Sequence, residues 1–328
     1  LQKAIEAHKA GHLQIYVTKK KPKITMKYLF VLTSLSLAFS LSAKPLNLAK
    51  VADSSNWIMH MDFESMRSSE IGSFLEDSLE KIPEMEEKMR GLQKKFGVDL
   101  MGVSNLTLFG TGERHKGIGI LEGGVNASIV TEVTRTREYI QESKVGKKTI
   151  FSTDKGRRPM AFSVLKKGKI VFGPDRDYVS EGIQLANGKG SGSISHPILE
   201  SLTNTLETPG FLFFADVKGA KETAELDQWA RMMADKIESC GMVIGDDAGG
   251  LKMIGLIETN SLESSEPMEN MIRGGLAMLE MKAKDNKRTE GMLEGYEVIR
   301  EGRTIRVEID ISNSFIIERI KKEMKKAV

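Results

Sequence analysis

The methionines near the C-terminus are residues whose type and spacing suggest a specific chemistry. Met268 and Met271 are three residues apart, as are Met278 and Met281, so a helix would place each pair on one face. Thioether sulfurs are soft ligands that bind Cu(I). The pairs are therefore weak candidate ligands for periplasmic copper binding. The alternative is that flexible methionines fill gaps in the core, because most of them also fit an apolar stripe.

Two aspartates form the other candidate site. Asp62 and Asp216 each end an apolar segment that has the pattern of a strand, 57–63 and 211–217. Acids at matching strand ends can form a shared polar site that binds a ligand. More often such an aspartate accepts hydrogen bonds from the backbone that follows it, and we favour this capping interpretation.

Familiar catalytic and cofactor motifs do not occur in the sequence. His60, His115 and His196 have no neighbouring His or Cys at zinc-ligand spacing. The glycines around residues 110–119 lack the spacing of nucleotide-binding loops, and no Gly-x-Ser-x-Gly motif occurs. The sequence therefore predicts no cofactor and no catalytic residue. The alternative that the protein is an enzyme, with a site assembled only in the folded chain, stays open. A cleft in which titratable side chains converge and have shifted pKa values would reveal such a site.

An internal repeat organises the elements that position these residues. Each half predicts the order β-α-β-β-α-β-β-α, so the class is α+β, a duplicated unit of antiparallel strands with packed helices. A helical pattern over 226–240 places Cys240, the single cysteine, on an apolar face, and another helix is predicted over 127–141. The predicted segments are an N-terminal arm at 44–56, repeats at 57–186 and 210–328, and a linker with a short helix at 187–209.

Residues 26–43 have the pattern of a bacterial export signal. Met26 and Lys27 give a basic start, 28–39 are mostly apolar, and 40–43 are mostly small. We expect cleavage near Ala43, with 1–25 a mis-called leader or an extended basic region. The apolar run is too short to cross a bilayer, and no cysteine follows it for lipid attachment. The expected location is the periplasm or the extracellular space.

The charge of the chain changes sign when this signal is set aside. Residues 1–43 hold seven lysines and one glutamate, so 41 of the 48 basic and 44 of the 45 acidic residues remain. The expected mature chain therefore has a net charge of −3, which argues against nucleic acid as a partner. With one cysteine, it must fold without an intramolecular disulfide.

Several short motifs are shared with a known protein group. The segment 96–100, Phe-Gly-Val-Asp-Leu, leads into a strand at 105–110, 120–126 precedes a helix, and 168–175 precedes another helix. This order, over about Trp57 to Phe214, resembles a group of secreted bacterial α+β proteins known as a domain of unknown function. The resemblance implies a location in the cell envelope and an α+β fold, and it implies no catalytic residue.

These observations predict an exported, non-enzymatic protein of the cell envelope that binds a protein partner or a ligand. The mature chain is expected to have no transmembrane segment. Amphipathic helices such as 84–95 are expected to be solvated faces or partner-binding faces. The alternatives are an enzyme with a fold-assembled site and periplasmic copper binding through methionine.

Overall fold

The structure of the chain, a computed structural model, describes residues 45–155, 159–189, 194–218, 231–232, 234–247, 249–285 and 295–327. The predicted leader 1–25 and signal peptide 26–43 lie outside the described residues. So do the first part of the helical pattern predicted over 226–240 and the glycine-rich centre of the linker.

Twelve antiparallel strands form one continuous sheet in the described part of the chain, in the order β11-β12-β10-β9-β8-β1-β2-β3-β7-β6-β5-β4. Both sequence halves therefore contribute to the same sheet. The strands are β1 Trp57–Asp62, β2 Val98–Gly110, β3 Ile118–Val125, β4 Gln141–Val145, β5 Lys148–Thr153, β6 Met160–Leu165, β7 Lys169–Gly173, β8 Pro209–Asp216, β9 Ile237–Asp247, β10 Gly250–Thr259, β11 Tyr296–Glu301 and β12 Thr304–Ser312.

Eight α-helices pack on this sheet or at its ends within the described residues, so the predicted α+β class is confirmed. They are α1 Phe63–Ser68, α2 Glu70–Glu80, α3 Pro83–Phe96, α4 Ala127–Arg135, α5 Arg176–Ala186, α6 Pro197–Thr203, α7 Leu262–Asp285 and α8 Asn313–Ala327. Local signals set several of their ends. Asp175 accepts hydrogen bonds from the first amides of α5, and α3 ends at Gly97 in a left-handed conformation with φ of 68°.

A pseudo-two-fold axis relates the two halves of the sheet. Trp57 pairs with Ala215 and Met61 with Phe211, so 57–62 and 211–216 occupy equivalent positions about the central pair, Met59 and Phe213. Strands β2, β3, β7 and β6 follow β1 outward, as β9, β10, β12 and β11 follow β8. The repeat is therefore visible in the strand order, and the hairpin β4–β5 extends the first half.

The structure differs from the sequence prediction in the element that holds Cys240, in the end of one helix and in the number of strands after it. Cys240 lies on β9 and not on a helix, because burial alternates along 237–247 with the period of two that is typical of a strand. The helix expected over 127–141 ends at Arg135, and 141–145 form β4. The first half therefore has four strands after α4, where two were expected.

The main core lies on one face of the sheet, under α5 and α6. Strand residues such as Ile58, Ile120, Phe214 and Val243 are fully buried there, and Val51 of the N-terminal arm joins them. A second, smaller cluster lies under α7, where buried side chains of the helix meet those of β11 and β12: Met268, Leu276, Val298 and Ile305. The arm and the helices thus cover different regions of one sheet.

Candidate functional site

Asp62 is fully buried at the end of β1. Its side chain accepts a hydrogen bond from the backbone amide of Ser65 at 3.0 Å, which places it at the N-cap of α1. The acidic side chain therefore satisfies an amide that the helix leaves without a partner, and it also lies near the positive end of the helix dipole.

Asp216 lies at the corresponding end of β8, opposite Ser239 of β9. Its backbone amide donates to the carbonyl of Asn56 at 2.7 Å. Because β1 and β8 are antiparallel neighbours, Asp62 and Asp216 lie at opposite ends of the strand pair. The structure does not bring the two aspartates together, so they do not form one ligand site.

Each aspartate instead begins a row of polar residues that crosses one half of the sheet. The first polar row runs through direct cross-strand partners on β1, β2, β3 and β7: Asp62, Asn105, Glu122 and Lys169. The second polar row occupies the equivalent positions on β8, β9, β10 and β12: Asp216, Ser239, Glu258 and Thr304. The repeat thus places a glutamate third in both rows.

Glu122 is the centre of the first polar row. It accepts hydrogen bonds from Lys50 at 2.8 Å, from Lys169 at 2.5 Å and from Asn105 at 3.2 Å, and its side chain is 13% exposed. Burial by itself raises the pKa of Glu122, but the hydrogen bonds from Lys169, Lys50 and Asn105 outweigh it and hold the pKa at about 2. Glu122 is therefore a fixed anion that fastens the N-terminal arm, through Lys50, onto the sheet.

Glu258 has the equivalent role in the second polar row. It binds Arg303 at 2.7 Å, and Ser239 donates to it at 3.3 Å. Arg303 also binds Glu238 at 2.7 Å, and Thr259 donates to the carbonyl of Arg303 at 3.0 Å. These contacts fasten the turn between β11 and β12 onto the neighbouring strands.

The histidines and the cysteine are dispersed. The Nδ1 atom of buried His60 lies 2.9 Å from the hydroxyl of Thr107, and His196 accepts a hydrogen bond from the amide of Ile198 at 3.2 Å. Burial raises the pKa of the Cys240 thiol. Among the residues that the structure describes, no three His, Cys, Asp or Glu side chains are grouped as a metal site would require.

The candidate methionine ligands divide between core and solvent. Met268 is 3% exposed and packs in the cluster under α7, whereas Met271 is 45% exposed. The structure therefore does not present these two sulfurs together. Met278 and Met281 are 60% and 67% exposed, and both lie on the last turns of α7.

An exposed apolar surface lies on α3, the helix whose residues 84–95 were expected to form a solvated or partner-binding face. Leu92 and Phe96 are one helical turn apart and are 38% and 42% exposed, and Leu100 at the start of β2 is 40% exposed. We call these three residues the α3 patch. The amphipathic pattern of 84–95 predicted the helix, but it did not show that Leu92 and Phe96 would be only partly covered.

A shallow groove of about 670 Å³ follows one side of α4, and it is lined by Ala127, Ser128, Thr131, Glu132, Arg135 and Thr136. Helix α4 packs against α3, and a side chain added at Gly97 would contact Ile129 of α4. The groove therefore lies on the helix next to the one that carries the α3 patch. No described helix is long and apolar enough to cross a membrane.

No protein-family model and no curated protein matches the chain. Crystal structures of TP0453 are similar in part. Crystal form I aligns with a TM-score of 0.48 and 10% sequence identity, covering 86% of this chain and 98% of that chain. Crystal form III aligns with a TM-score of 0.48 and 8% identity, covering 86% of this chain and 99% of that chain.

Proposed function

We propose that the chain is an exported, non-enzymatic protein of the cell envelope that binds a protein partner through the α3 patch. The supporting observation is the exposure of Leu92, Phe96 and Leu100, between 38% and 42%. These large apolar side chains lie close together in the sequence. Contiguous exposed apolar surface commonly marks a site where a protein binds another molecule.

A protein suits this surface better than a small molecule. Small ligands bind in concave sites that enclose most of their surface. The α3 patch is on the outside of a helix, and the neighbouring groove is lined by one side of α4 alone.

The charges near the patch suggest what the partner carries. Lys94 and Lys95 are exposed on the last turn of α3, in the same turn as Phe96. Complementary charges around an apolar contact guide association and fix its orientation. We therefore expect a partner segment with an apolar face and acidic residues at its edge.

The state of Glu122 fits a structural role better than a catalytic one. Its hydrogen bonds from Lys169, Lys50 and Asn105 hold its pKa at about 2, so the carboxylate stays ionised. A general acid or base is most effective with a pKa near the working pH. Glu122 is also bound to two lysines that hold the arm and a strand, so its contacts are those of a structural anion.

Site-specific photocrosslinking in cells tests the proposal. A photoreactive amino acid at Phe96 or Leu92 is expected to give a covalent adduct with one partner protein in the envelope fraction. The same amino acid at Met160, which is 49% exposed on β6, is the control and is expected to give no such adduct. Phe96→Asp is expected to abolish capture of the partner, and Met160→Asp to leave capture intact.

Two results would refute the proposal. One is an exported, folded protein in which neither patch position crosslinks above the Met160 control. The other is an intact mass showing that the form in the envelope retains residues 1–25, since the export signal at 26–43 is expected to be removed near Ala43. A circular dichroism spectrum of each variant shows whether it is folded.

A further inference from the structure

Helix α7 has two apolar sides, and only one of them packs on the sheet. Met268 and Leu276 are buried against β11 and β12 on the sheet side. Four large apolar residues of the helix are exposed by 45% to 67%: Met271, Met278, Leu279 and Met281. Met271 and Met278 are seven residues apart, so they lie together on the outer side of the helix. We call Met271, Gly274, Gly275 and Met278 the α7 stripe. A helix of a globular protein ordinarily has polar residues on its outer face, so the stripe calls for a contact that covers it.

Two glycines lie at the centre of this stripe and of the helix. A Cβ atom added at Gly274 or Gly275 would have no atom within 4 Å, so the molecule's own packing does not require glycine at either position. Glycine in a helix interior is less favourable than alanine. Its advantage here would be to let another helix approach closely, at the short end of the distances seen between packed helices.

The stripe is self-complementary. Met271 lies three residues before Gly274, and Met278 lies three residues after Gly275. A two-fold axis between the glycines, relating two antiparallel helices, places Met271 of each copy opposite Met278 of the other. The same residues then contact each other on both sides, as in the isologous interface of a two-fold dimer.

The charges of α7 agree with an antiparallel arrangement. Exposed Glu263 lies in its first turn, exposed Lys282 lies near its C-terminal end, and both are next to the α7 stripe at helical spacing. In an antiparallel pair, the acidic end of each helix approaches the end of the other that carries Lys282. The helix dipoles also oppose each other favourably in this arrangement.

We infer that α7 forms the contact of a symmetric, antiparallel dimer of this chain, with the two-fold axis between Gly274 and Gly275. The dimer is separate from the partner binding proposed for the α3 patch, which lies on another helix. A single pair of helices buries a small interface, so the dimer is expected to dissociate on dilution.

Sedimentation velocity over a range of concentrations tests the dimer on the protein purified from expressing cells. The unchanged chain is expected to show a reversible shift from monomer to dimer. Met278→Asp places a charge opposite Met271 at both ends of the contact, so the dissociation constant is expected to rise by about tenfold or more. Met160→Asp is the control, at a methionine on β6 that is 49% exposed where Met278 is 60% exposed, and it is expected to leave the dissociation constant unchanged.

Cysteine crosslinking tests the position of the axis, in a chain that carries Cys240→Ala. Gly275→Cys is expected to form an intermolecular disulfide on mild oxidation, because the two copies of this position meet near the axis. Ala277→Cys, exposed on another side of α7, is expected not to. A chain that is monomeric at all concentrations overturns the inference, as does crosslinking at Ala277 that equals or exceeds crosslinking at Gly275. Failure of the α3 patch variants to lose their partner leaves this result unaffected.

Discussion

Met59 lies directly opposite Phe213 across β1 and β8, and these two residues occupy the same position in the two halves of the chain. The pseudo-two-fold axis of the sheet therefore passes through this pair. The axis explains why Asp62 and Asp216, equivalent in sequence, lie far apart along the strands. It also explains why Glu122 and Glu258 each stand third in a polar row.

Glu122 makes the stability of the protein dependent on pH. Its pKa is about 2 in the folded chain, below the value of 4.5 that an unperturbed glutamate has, so its contribution is fully present above pH 4.5 and decreases as the pH falls towards 2. We expect Glu122→Gln to reduce the free energy of unfolding by about 1–3 kcal/mol at pH 7. Urea unfolding at several pH values measures this.

The difference in the free energy of unfolding between the unchanged chain and Glu122→Gln is expected to narrow from pH 6 to pH 3, because glutamine does not titrate. Glu142→Gln is a suitable control. Glu142 also binds an arginine, Arg135, but the pair lies on the surface, where such pairs contribute little. If both variants lost the same free energy of unfolding, or if the loss in Glu122→Gln did not change with pH, the ionised Glu122 would not be what stabilises the fold.

Asp62 is expected to act through its cap and not through a ligand. Asp62→Ala removes the acceptor for the amide of Ser65, so we expect a loss of about 1–2 kcal/mol in the free energy of unfolding. Asp62→Asn keeps an oxygen acceptor at the same position, and it is expected to retain most of the stability. Chemical unfolding of both variants shows whether the hydrogen bond or the charge of Asp62 matters. If Asp62→Asn lost as much free energy of unfolding as Asp62→Ala, the charge itself would be the stabilising feature.

The repeat supplies a matched pair of glycines for a packing test. A Cβ atom at Gly119 of β3 would overlap the ring of Phe172, whereas at the equivalent Gly255 of β10 the nearest atom would be Cβ of Val307 at 3.9 Å. We expect Gly119→Ala to destabilise the protein by about 1–3 kcal/mol, and Gly255→Ala to be tolerated. Thermal unfolding of the two variants measures the difference, and equal melting temperatures would contradict it.

The sequence predicted the α+β class because local patterns determine strands, helices and turns. The strand patterns of 57–63 and 211–217 and the helix that follows 168–175 all depend on neighbouring residues. Cys240 was placed on a helix because apolar residues recur at helical spacing before it. The backbone follows the alternation of 237–247 instead, since pairing with β8 and β10 on both sides outweighs helix propensity.

The polar rows could not be predicted, because they depend on the register between strands that are distant in the sequence. Glu122 meets Lys50 across 72 residues, and nothing near either residue indicates the other. The same limit applies to α7. The spacing of Met268 and Met271 predicts a shared helix face, but only the position of the helix on the sheet decides that Met268 is buried and Met271 is exposed.

An arginine side chain from a helix binds one backbone carbonyl on each edge strand of the sheet. Arg176 of α5 donates to the backbone carbonyl of Lys144 on edge strand β4 at 3.0 Å, and Arg273 of α7 donates to that of Val298 on edge strand β11. Val145 and Lys148 flank a two-residue turn and form a hydrogen-bonded pair. In the next pair, Lys144 and Thr149, the backbone groups point outward, so the carbonyl of Lys144 faces away from β5. The same alternation along β11 turns the carbonyl of Val298 away from β12.

Removing these arginines is therefore expected to promote association between sheet edges. An edge strand with open backbone groups is a template for another strand, and proteins commonly protect such edges with charged side chains. We expect Arg176→Ala, and more strongly Arg176→Ala with Arg273→Ala, to form large aggregates faster on mild heating, as measured by light scattering. Arg90→Ala is the control, because Arg90 binds only to Glu86 of its own helix among the contacts that the structure describes. The control also loses a positive charge, but at a position away from the sheet edges. If the double variant aggregated no faster than this control, the arginines would not protect the edges.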